Sequence, residues 1–489
     1  MLRLLASASL PAPPDGGALA WLQVLVGFLL YSVCVGIQYC LGVLLSGILA
    51  DPAILGSATR ADASWVSSME SAFFLFGALP CSLIRPTLGI RGTMLLGGLL
   101  LVAGALLAAH APSLPVVVAA MVLFGLGCSF PSTVALTALQ AWFSKLRGTA
   151  SGLVVCGSGF GAMVLGPLLQ AQVDAGGWRQ AFRCIALVSG AAVLLCALCT
   201  VPLVLEAPAA PAPEGAAEAG GADAAAAAAD AAAAARASRL LLRHFEDWPS
   251  PEEDEGSPGA EGAAKPSVGQ QLRALASNQP FLCFLFFIAA YGGAWFSLLA
   301  HFNSSCRESG TSADDAALLV TYQGMMNAFG RLSMGYAADR FAAAGIPKLV
   351  LLQFNVLVMA VATLSLAAPS LQASRAYQVA YALVNGGFGG SIPSLQAPIM
   401  VDICGLALLP LAFGLLHAVQ APLVLLAPVA AGALRSASGA WTLTWLLVGA
   451  LIAVGASALA FMRGLPGDVA PLSVAKLAGC RADTKRPLA

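Results

Sequence analysis

Charge is what this sequence has least of. Asp, Glu, Lys and Arg supply 10% of its 489 residues, where a soluble domain carries about 25%. Apolar residues supply 59%, and the mean hydropathy is +0.83. A water-soluble globule is excluded, because such a chain presents more apolar surface than one core can bury. The formal net charge is zero, so a nucleic-acid partner is not expected. Catalytic patterns are missing too. Only four His are present, and no Ser-His-Asp set, HExxH or carboxylate pair stands out beyond chance spacing. An enzyme is therefore not expected. Cysteine is less scarce, at twelve residues, but Cys34, Cys40, Cys156, Cys196 and Cys199 lie within apolar runs and pack there as small apolar groups. The Cys196-x-x-Cys199 pair has no His or acid beside it, which makes it a poor metal or redox site. Neither a metal nor a cofactor is expected.

What is present is a series of long apolar runs. Leu19–Leu49, Gly92–Ala109, Phe281–Phe302 and Lys348–Ala368 are near or above the ~20 residues that cross a hydrocarbon core. In lipid each backbone amide must be satisfied within its own segment, so these runs should be helices. The expected spans are 19–45, 64–84, 92–110, 114–138, 148–170 and 181–204, then 280–302, 315–337, 348–368, 375–400, 408–433 and 440–462. The fold class this implies is an all-α membrane protein of twelve spans in two six-helix halves, residues 18–205 and 279–463.

Between the halves lies a stretch of another kind, residues 206–278. An Ala-rich tract, a basic patch (Arg236, Arg239, Arg243) and an acidic patch (Glu252 to Glu255) follow one another without hydrophobic period. The expectation is a disordered cytosolic linker, in which Ser250-Pro251 and Ser257-Pro258 are weak phosphorylation candidates. Residues 1–17 read as a cytosolic tail rather than a signal peptide, since their apolar stretch is short and broken by Pro, and 464–489 as a second, basic tail. With both termini inside, Arg85, Arg91, Lys145, Arg147, Arg340 and Lys348 fall on the inner face, as the positive-inside rule requires. The inverse orientation would place most Lys and Arg outside. Six spans, a long polar linker and six more spans resemble the layout of the major facilitator superfamily.

Four motifs narrow the resemblance. Pro14-Asp15-Gly16-Gly17 with Trp21 precedes the first span. Trp142-Phe143-Ser144-Lys145-Leu146-Arg147 enters the fifth, followed by Ala150, Gly152-Leu153, Gly157-Ser158, Gly161, Gly166-Pro167 and Gly177-Trp178-Arg179. Asn327-Ala328-Phe329-Gly330-Arg331 lies in the eighth, with Gly335 and Asp339-Arg340 beyond it. Val401-Asp402-Ile403-Cys404-Gly405-Leu406 closes the tenth, with Gly414-Leu415, Pro428 and Ala431-Gly432 after it. Together these resemble the monocarboxylate transporter family of solute carriers, although a Trp is missing from the first motif and one residue is inserted. The resemblance implies a small-anion carrier, sometimes accompanied by a single-span ancillary glycoprotein; the plasma membrane is the default location for such a chain.

Ionisable groups within lipid are costly and usually face a cavity. Arg331 stands eight residues before Asp339, about 12 Å above it along a helix, and a guanidinium there can hold a carboxylate bidentately. The alternative is internal pairing with Asp402, Glu70 or a helix end. Gln323, Asn327 and Arg331, spaced at four, form a polar stripe. Tyr39, Gln38 and Asn385 are further binding candidates, and Tyr31, Tyr291, Trp295, His417 and Gln420 support them; interhelical hydrogen bonding explains each of these equally well. Proton-coupled members of the family carry an Asp where this chain has Asn327 and a Lys where it has Tyr39, so coupling by that pair is not expected here. Glu70 is the one spare acid, a coupling candidate because loss of water favours a neutral carboxyl; the alternative is a wet glutamate at the outer mouth.

For conformational control, Asp339 and Arg340 resemble the superfamily's inner latch. Its counterpart, Arg85-Pro86-Thr87-Leu88-Gly89, lacks the acid, so the latch is expected in the second half only. Lys145, Arg147, Asp15 and Asp402 complete the inner-face set. Asn385-Gly386-Gly387-Phe388-Gly389-Gly390 is too rich in Gly for a rigid helix and reads as a bend, not a phosphate loop. The function this supports is alternating-access transport of a small organic anion. Facilitative carriage of aromatic or amino-acid-like substrates and a non-transporting sensor stay open; a channel is disfavoured, with no ring of charge at a span centre.

Overall fold

A computed structural model describes residues 8–10, 13, 15–55, 60–205 and 267–462. The first set of helices is α1 (Gly17–Leu49), the single turn α2 (Pro52–Leu55), α3 (Arg60–Phe76), α4 (Ala78–Ala109), α5 (Leu114–Trp142) and α6 (Arg147–Cys199). The second is α7 (Val268–Ser277), α8 (Gln279–Glu308), α9 (Ala313–Ala343), α10 (Lys348–Ser365), the turn α11 (Pro369–Gln372), α12 (Arg375–Val384) and α13 (Gly390–Ser438), then α14 (Thr442–Ala460). A π-helical turn over Asn385–Gly389 joins α12 to α13. Two three-residue strands, β1 (Ala8–Leu10) and β2 (Leu203–Leu205), pair in parallel with Ala8 opposite Leu203, tying the chain before α1 to the chain after α6.

Eight stretches of described helix are long and apolar enough to cross a membrane. Three of the long helices break at a glycine: Gly89 in α4 at φ +67°, Gly177 in α6 at φ +77° and Gly405 in α13 at φ +73°. A Cβ is strained in that region, and each glycine falls in a gap between two expected spans. Side-chain caps start several of the other helices. Asn278 accepts the Phe281 N–H at 3.1 Å to open α8, and Ser312 accepts the Asp315 N–H at 3.2 Å to open α9.

The part of the expected linker over 206–266, and the tail over 464–489, lie outside the described residues. The linker's last residues do not, and there the expectation of disorder gives way. Ser267 accepts the Gln270 N–H at 3.3 Å while the Gln270 side chain accepts the Ser267 N–H at 2.8 Å. This reciprocal cap nucleates α7, and Leu275 on α7 is buried in the second core.

Each set of helices builds its own apolar core. One is centred on Leu44, Met94, Phe124 and Phe182, the other on Phe284, Leu352, Tyr381 and Trp445. The sets meet most closely where α6 crosses α9. A Cβ added at Gly148 would lie 2.5 Å from the Gly335 carbonyl oxygen, and one at Gly152 would lie 2.6 Å from that of Arg331. Only glycine allows this approach, which brings a charged helix against the opposite half.

Candidate functional site

Arg331 is carried on α9 and is buried, at 3% exposure. Its guanidinium points out of its own half. It donates to the Val155 carbonyl at 2.8 Å and to the Ser158 hydroxyl on α6, and to the Tyr39 hydroxyl on α1 at 3.0 Å. The Tyr39 ring centroid is 5.9 Å from the guanidinium carbon. Among the described residues no carboxylate lies within ion-pair distance of Arg331, and its Nε has no partner. Asp402, one alternative partner, holds Lys348 at 2.9 Å instead. Every acceptor on this buried cation is neutral.

The three stripe residues separate in space. Gln323 is buried and donates to Asn385 at 2.7 Å; Asn385 donates to Tyr381 at 3.1 Å, whose hydroxyl meets Thr363 at 3.2 Å. This chain stays within the second half, whereas Arg331 faces the first. The reason is helical pitch: at 3.6 residues per turn, positions eight apart have drifted by roughly 80°. Asn327, between them, is half-buried against the backbone, where a Cβ at Gly390 would lie 2.5 Å from its amide nitrogen. The glycines expected to bend this region form the π-helical turn, and a Cβ at Gly386 would strike the Gln323 carbonyl. They are contact surfaces for α9 as well as a local change of helix.

Across the interface, Gln38 is half-buried beside the half-exposed Tyr39 and donates to Ser71 at 3.2 Å. Ser71 donates in turn to Glu70 Oε2 at 3.2 Å. Glu70 is fully buried, so the reading of a wet glutamate at a mouth does not describe it.

The conformational set gathers where α6 begins and α9 ends. The Asp339 carboxylate accepts the Gly148 N–H at 2.9 Å and, from Thr149, both the N–H and the hydroxyl at 2.7 Å. It thereby caps the first turn of α6 from the other half, where free N–H groups and the helix dipole favour an anion. Arg340 takes no part in this: it is exposed, with its guanidinium carbon 5.5 Å from the Tyr336 ring. Arg147 donates to the Gln140 carbonyl at 3.2 Å. Asp15 accepts the Ser144 N–H at 2.5 Å, the Lys145 N–H at 2.8 Å and the Ser144 hydroxyl, so the chain before α1 staples the turn between α5 and α6. Burial pushes the Asp15 carboxyl up, but the hydrogen bonds from Ser144 and Lys145 outweigh it and hold it below the ordinary value. Lys145 contributes its backbone to the staple; its side chain is exposed.

Sequence reasoning missed the partners. Ser158 and Thr149 are small hydroxyl residues in a glycine-rich run, and nothing local marks the one as an acceptor for Arg331 or the other as a donor to Asp339. It also missed two clamps at the opposite face. Asp51 accepts from Trp178 at 3.0 Å and from Arg179 at 2.7 Å, and Glu308 accepts from Trp441 at 2.8 Å and from Arg435 at 2.6 Å.

Comparison with known proteins agrees with this architecture. The sequence profile of the Major Facilitator Superfamily matches residues 19–400. Monocarboxylate transporter 13 of Bos taurus is 24% identical over 451 residues, 91% of this chain and 90% of that protein. Monocarboxylate transporter 12 of Mus musculus is 24% identical over 470 residues, 93% of this chain and 87% of that protein. The solved structure of the proton:xylose symporter XylE superposes with a TM-score of 0.62 at 13% identity, covering 92% of this chain and 97% of that one. At that identity the likeness shows the fold alone. The resemblance to monocarboxylate transporters read from four motifs thus extends over nearly the whole chain. The chain belongs to the Major Facilitator Superfamily, a family of multi-pass membrane transporters and not of enzymes.

Proposed function

We propose that this transporter carries monocarboxylates or related small organic anions by alternating access, with the substrate carboxylate held by Arg331. One observation carries the reading: a buried guanidinium that bridges the two halves and meets only neutral acceptors. Leaving such a charge without a counter-ion costs several kcal/mol, which a bound carboxylate offsets. The substrate would take the place of Tyr39 and Ser158 on the guanidinium, and so loosen a contact between the halves as it binds. Asn327 and Tyr39 line its approach. Gln323 and Asn385 act one layer behind, fixing α9 against the π-helical turn that follows α12. In this reading the full chain has twelve spans in halves 18–205 and 279–463, both termini are cytosolic, and the latch formed by Asp339 closes the cytosolic side. An ancillary single-span glycoprotein is what the similarity to monocarboxylate transporters suggests, and the plasma membrane is taken as the default location.

The test is uptake into proteoliposomes of labelled monocarboxylates, aromatic acids and amino acids. Saturable uptake of at least one carboxylate is expected. Arg331→Ala should abolish it, and Arg331→Lys should not restore it, because a point ammonium cannot reproduce the bidentate fork. If Arg331→Ala transports as well as the wild type, the site is elsewhere. If no compound enters, a sensor without flux becomes the better reading.

A further inference from the structure

Glu70 is the buried acid that the anion site leaves unused. It sits on α3 with no exposure, Oε2 bonded to Ser71 and Oε1 without a partner among the described residues. α5 packs closely on this turn of α3, since a Cβ at Gly125 would strike the main-chain carbonyl oxygen of Glu70. The ionisable groups around it are weak. Cys128 faces it from α5, with Cys34 of α1 beside that thiol. The cations and the histidine of the neighbouring helices are engaged elsewhere: Arg85 with Thr137 at 2.9 Å, Arg331 with α1 and α6, and His417 of α13 with the Phe413 carbonyl at 2.9 Å. An ionised carboxylate there would face only hydroxyl and amide donors, at a cost of several kcal/mol. A protonated one carries no charge to compensate.

Its connections run toward the anion. Glu70 joins Ser71, Ser71 joins Gln38, and the next residue along α1 is Tyr39, whose hydroxyl accepts from Arg331. A substrate that displaces Tyr39 disturbs the side chain one position from the Glu70 chain.

We propose that Glu70 is the proton-carrying group of this transporter, linked to the anion site at Arg331 through Ser71, Gln38 and Tyr39. The inference rests on the carrier reading above. A proton enters from water on one side, adds to a Glu70 carboxylate oxygen, and leaves that oxygen for water on the other side; no bond of the substrate is made or broken. Closure over both groups costs least with a proton on Glu70 and a carboxylate on Arg331. One proton and one anion therefore cross together, and the net charge carried is zero. The familiar pair absent at Tyr39 and Asn327 is replaced by an acid on a different helix.

The experiment compares wild type with Glu70→Gln in proteoliposomes, using a labelled carboxylate that the wild type takes up. An inward proton gradient should drive uphill accumulation in the wild type. In Glu70→Gln accumulation should vanish, while exchange of labelled for unlabelled substrate persists, because exchange needs no proton release. Glu70→Asp should regain part of the accumulation. Accumulation by Glu70→Gln at the wild-type level, or wild-type uptake indifferent to the gradient, would overturn the proposal. Absence of exchange in the wild type itself would sink the carrier reading instead. Infrared spectroscopy of the protein alone then decides for Glu70. The carbonyl band of a protonated carboxyl should be present in the wild type and missing from Glu70→Gln; a band unchanged in that variant would count against Glu70.

Discussion

The two halves end their helices alike at one face and differently at the other. At the clamp face each half closes on an acid, an Arg and a Trp: Asp51 with Arg179 and Trp178, Glu308 with Arg435 and Trp441. The guanidinium carbon also lies 4.3 Å from the Trp178 ring in the first half and 5.4 Å from the Trp441 ring in the second. At the latch face the second half sends Asp339 across to α6, whereas Arg85 of the first half stays at home on Thr137. In the carrier cycle proposed above each half moves as one body, so contacts inside a half can be repeated. In that proposed cycle a contact between halves must break each time, and one latch is easier to open than two.

The sharpest way to break that comparison is Asp339→Ala. Hydrogen bonds to a charged group contribute about 1.5–3 kcal/mol each, and three on one carboxylate do not add fully. A loss of roughly 3 kcal/mol would shift the latch equilibrium toward open by about 10²-fold. Spin-label distances between the latch-face ends of α6 and α9 should lengthen. An unchanged distribution would show that the glycine contacts alone hold the halves. Gly148→Val attacks those contacts separately, since its Cβ would lie 2.5 Å from the Gly335 oxygen and 2.8 Å from Asp339. Overpacking of this kind costs about 1–3 kcal/mol, and the same labels should report a smaller opening.

The clamps sharpen the comparison with a smaller effect. Their charged groups are partly exposed, 35% and 21% for Arg179 and Asp51, 28% and 46% for Arg435 and Glu308. Solvent screening holds each ion pair to about 0.5–1 kcal/mol. Double-mutant cycles on Asp51→Asn with Arg179→Gln, and on Glu308→Gln with Arg435→Gln, should give coupling energies of that size in both halves. A large coupling in only one half would mean that the likeness is one of residue type, not of function.

Some of this was legible in the chain and some was not, for physical reasons. Arg331 and Glu70 stood out because an ionisable residue in an apolar run has few cheap places to go. The acid present at Asp339 and missing near Arg85 was legible as a difference between the halves; that Asp339 bonds Gly148 and Thr149 without Arg340 was not. Partners were not, because Tyr39 and Arg331 are 292 residues apart and Asp51 and Trp178 are 127 apart; each local sequence is silent about the other. The stripe on α9 was legible as a pattern but not as a surface, since Gln323 and Arg331 turn to different halves. Composition also misled. The cap formed by Ser267 and Gln270 was in plain view, yet the low hydrophobicity of the preceding residues outweighed it.

The smallest expected effect concerns pH, and it separates the inter-half machinery from the fixed staples. The Asp51 carboxyl is held below its ordinary value by hydrogen bonds from Trp178 and Arg179, and the Asp15 carboxyl by those from Ser144 and Lys145, which outweigh the opposing effect of burial. A depressed carboxylate contributes stability that is complete above its unfolded value and is lost as pH falls through the folded one. Both contributions should therefore be intact at every pH above about 4. Transport measured from pH 5 to pH 8 should show the same relative profile in Asp51→Asn and Asp15→Asn as in the wild type, whatever the absolute rate. A profile displaced in either variant would place a pH-sensing group among the staples. A profile that flattens in Glu70→Gln while theirs do not would place it between the halves.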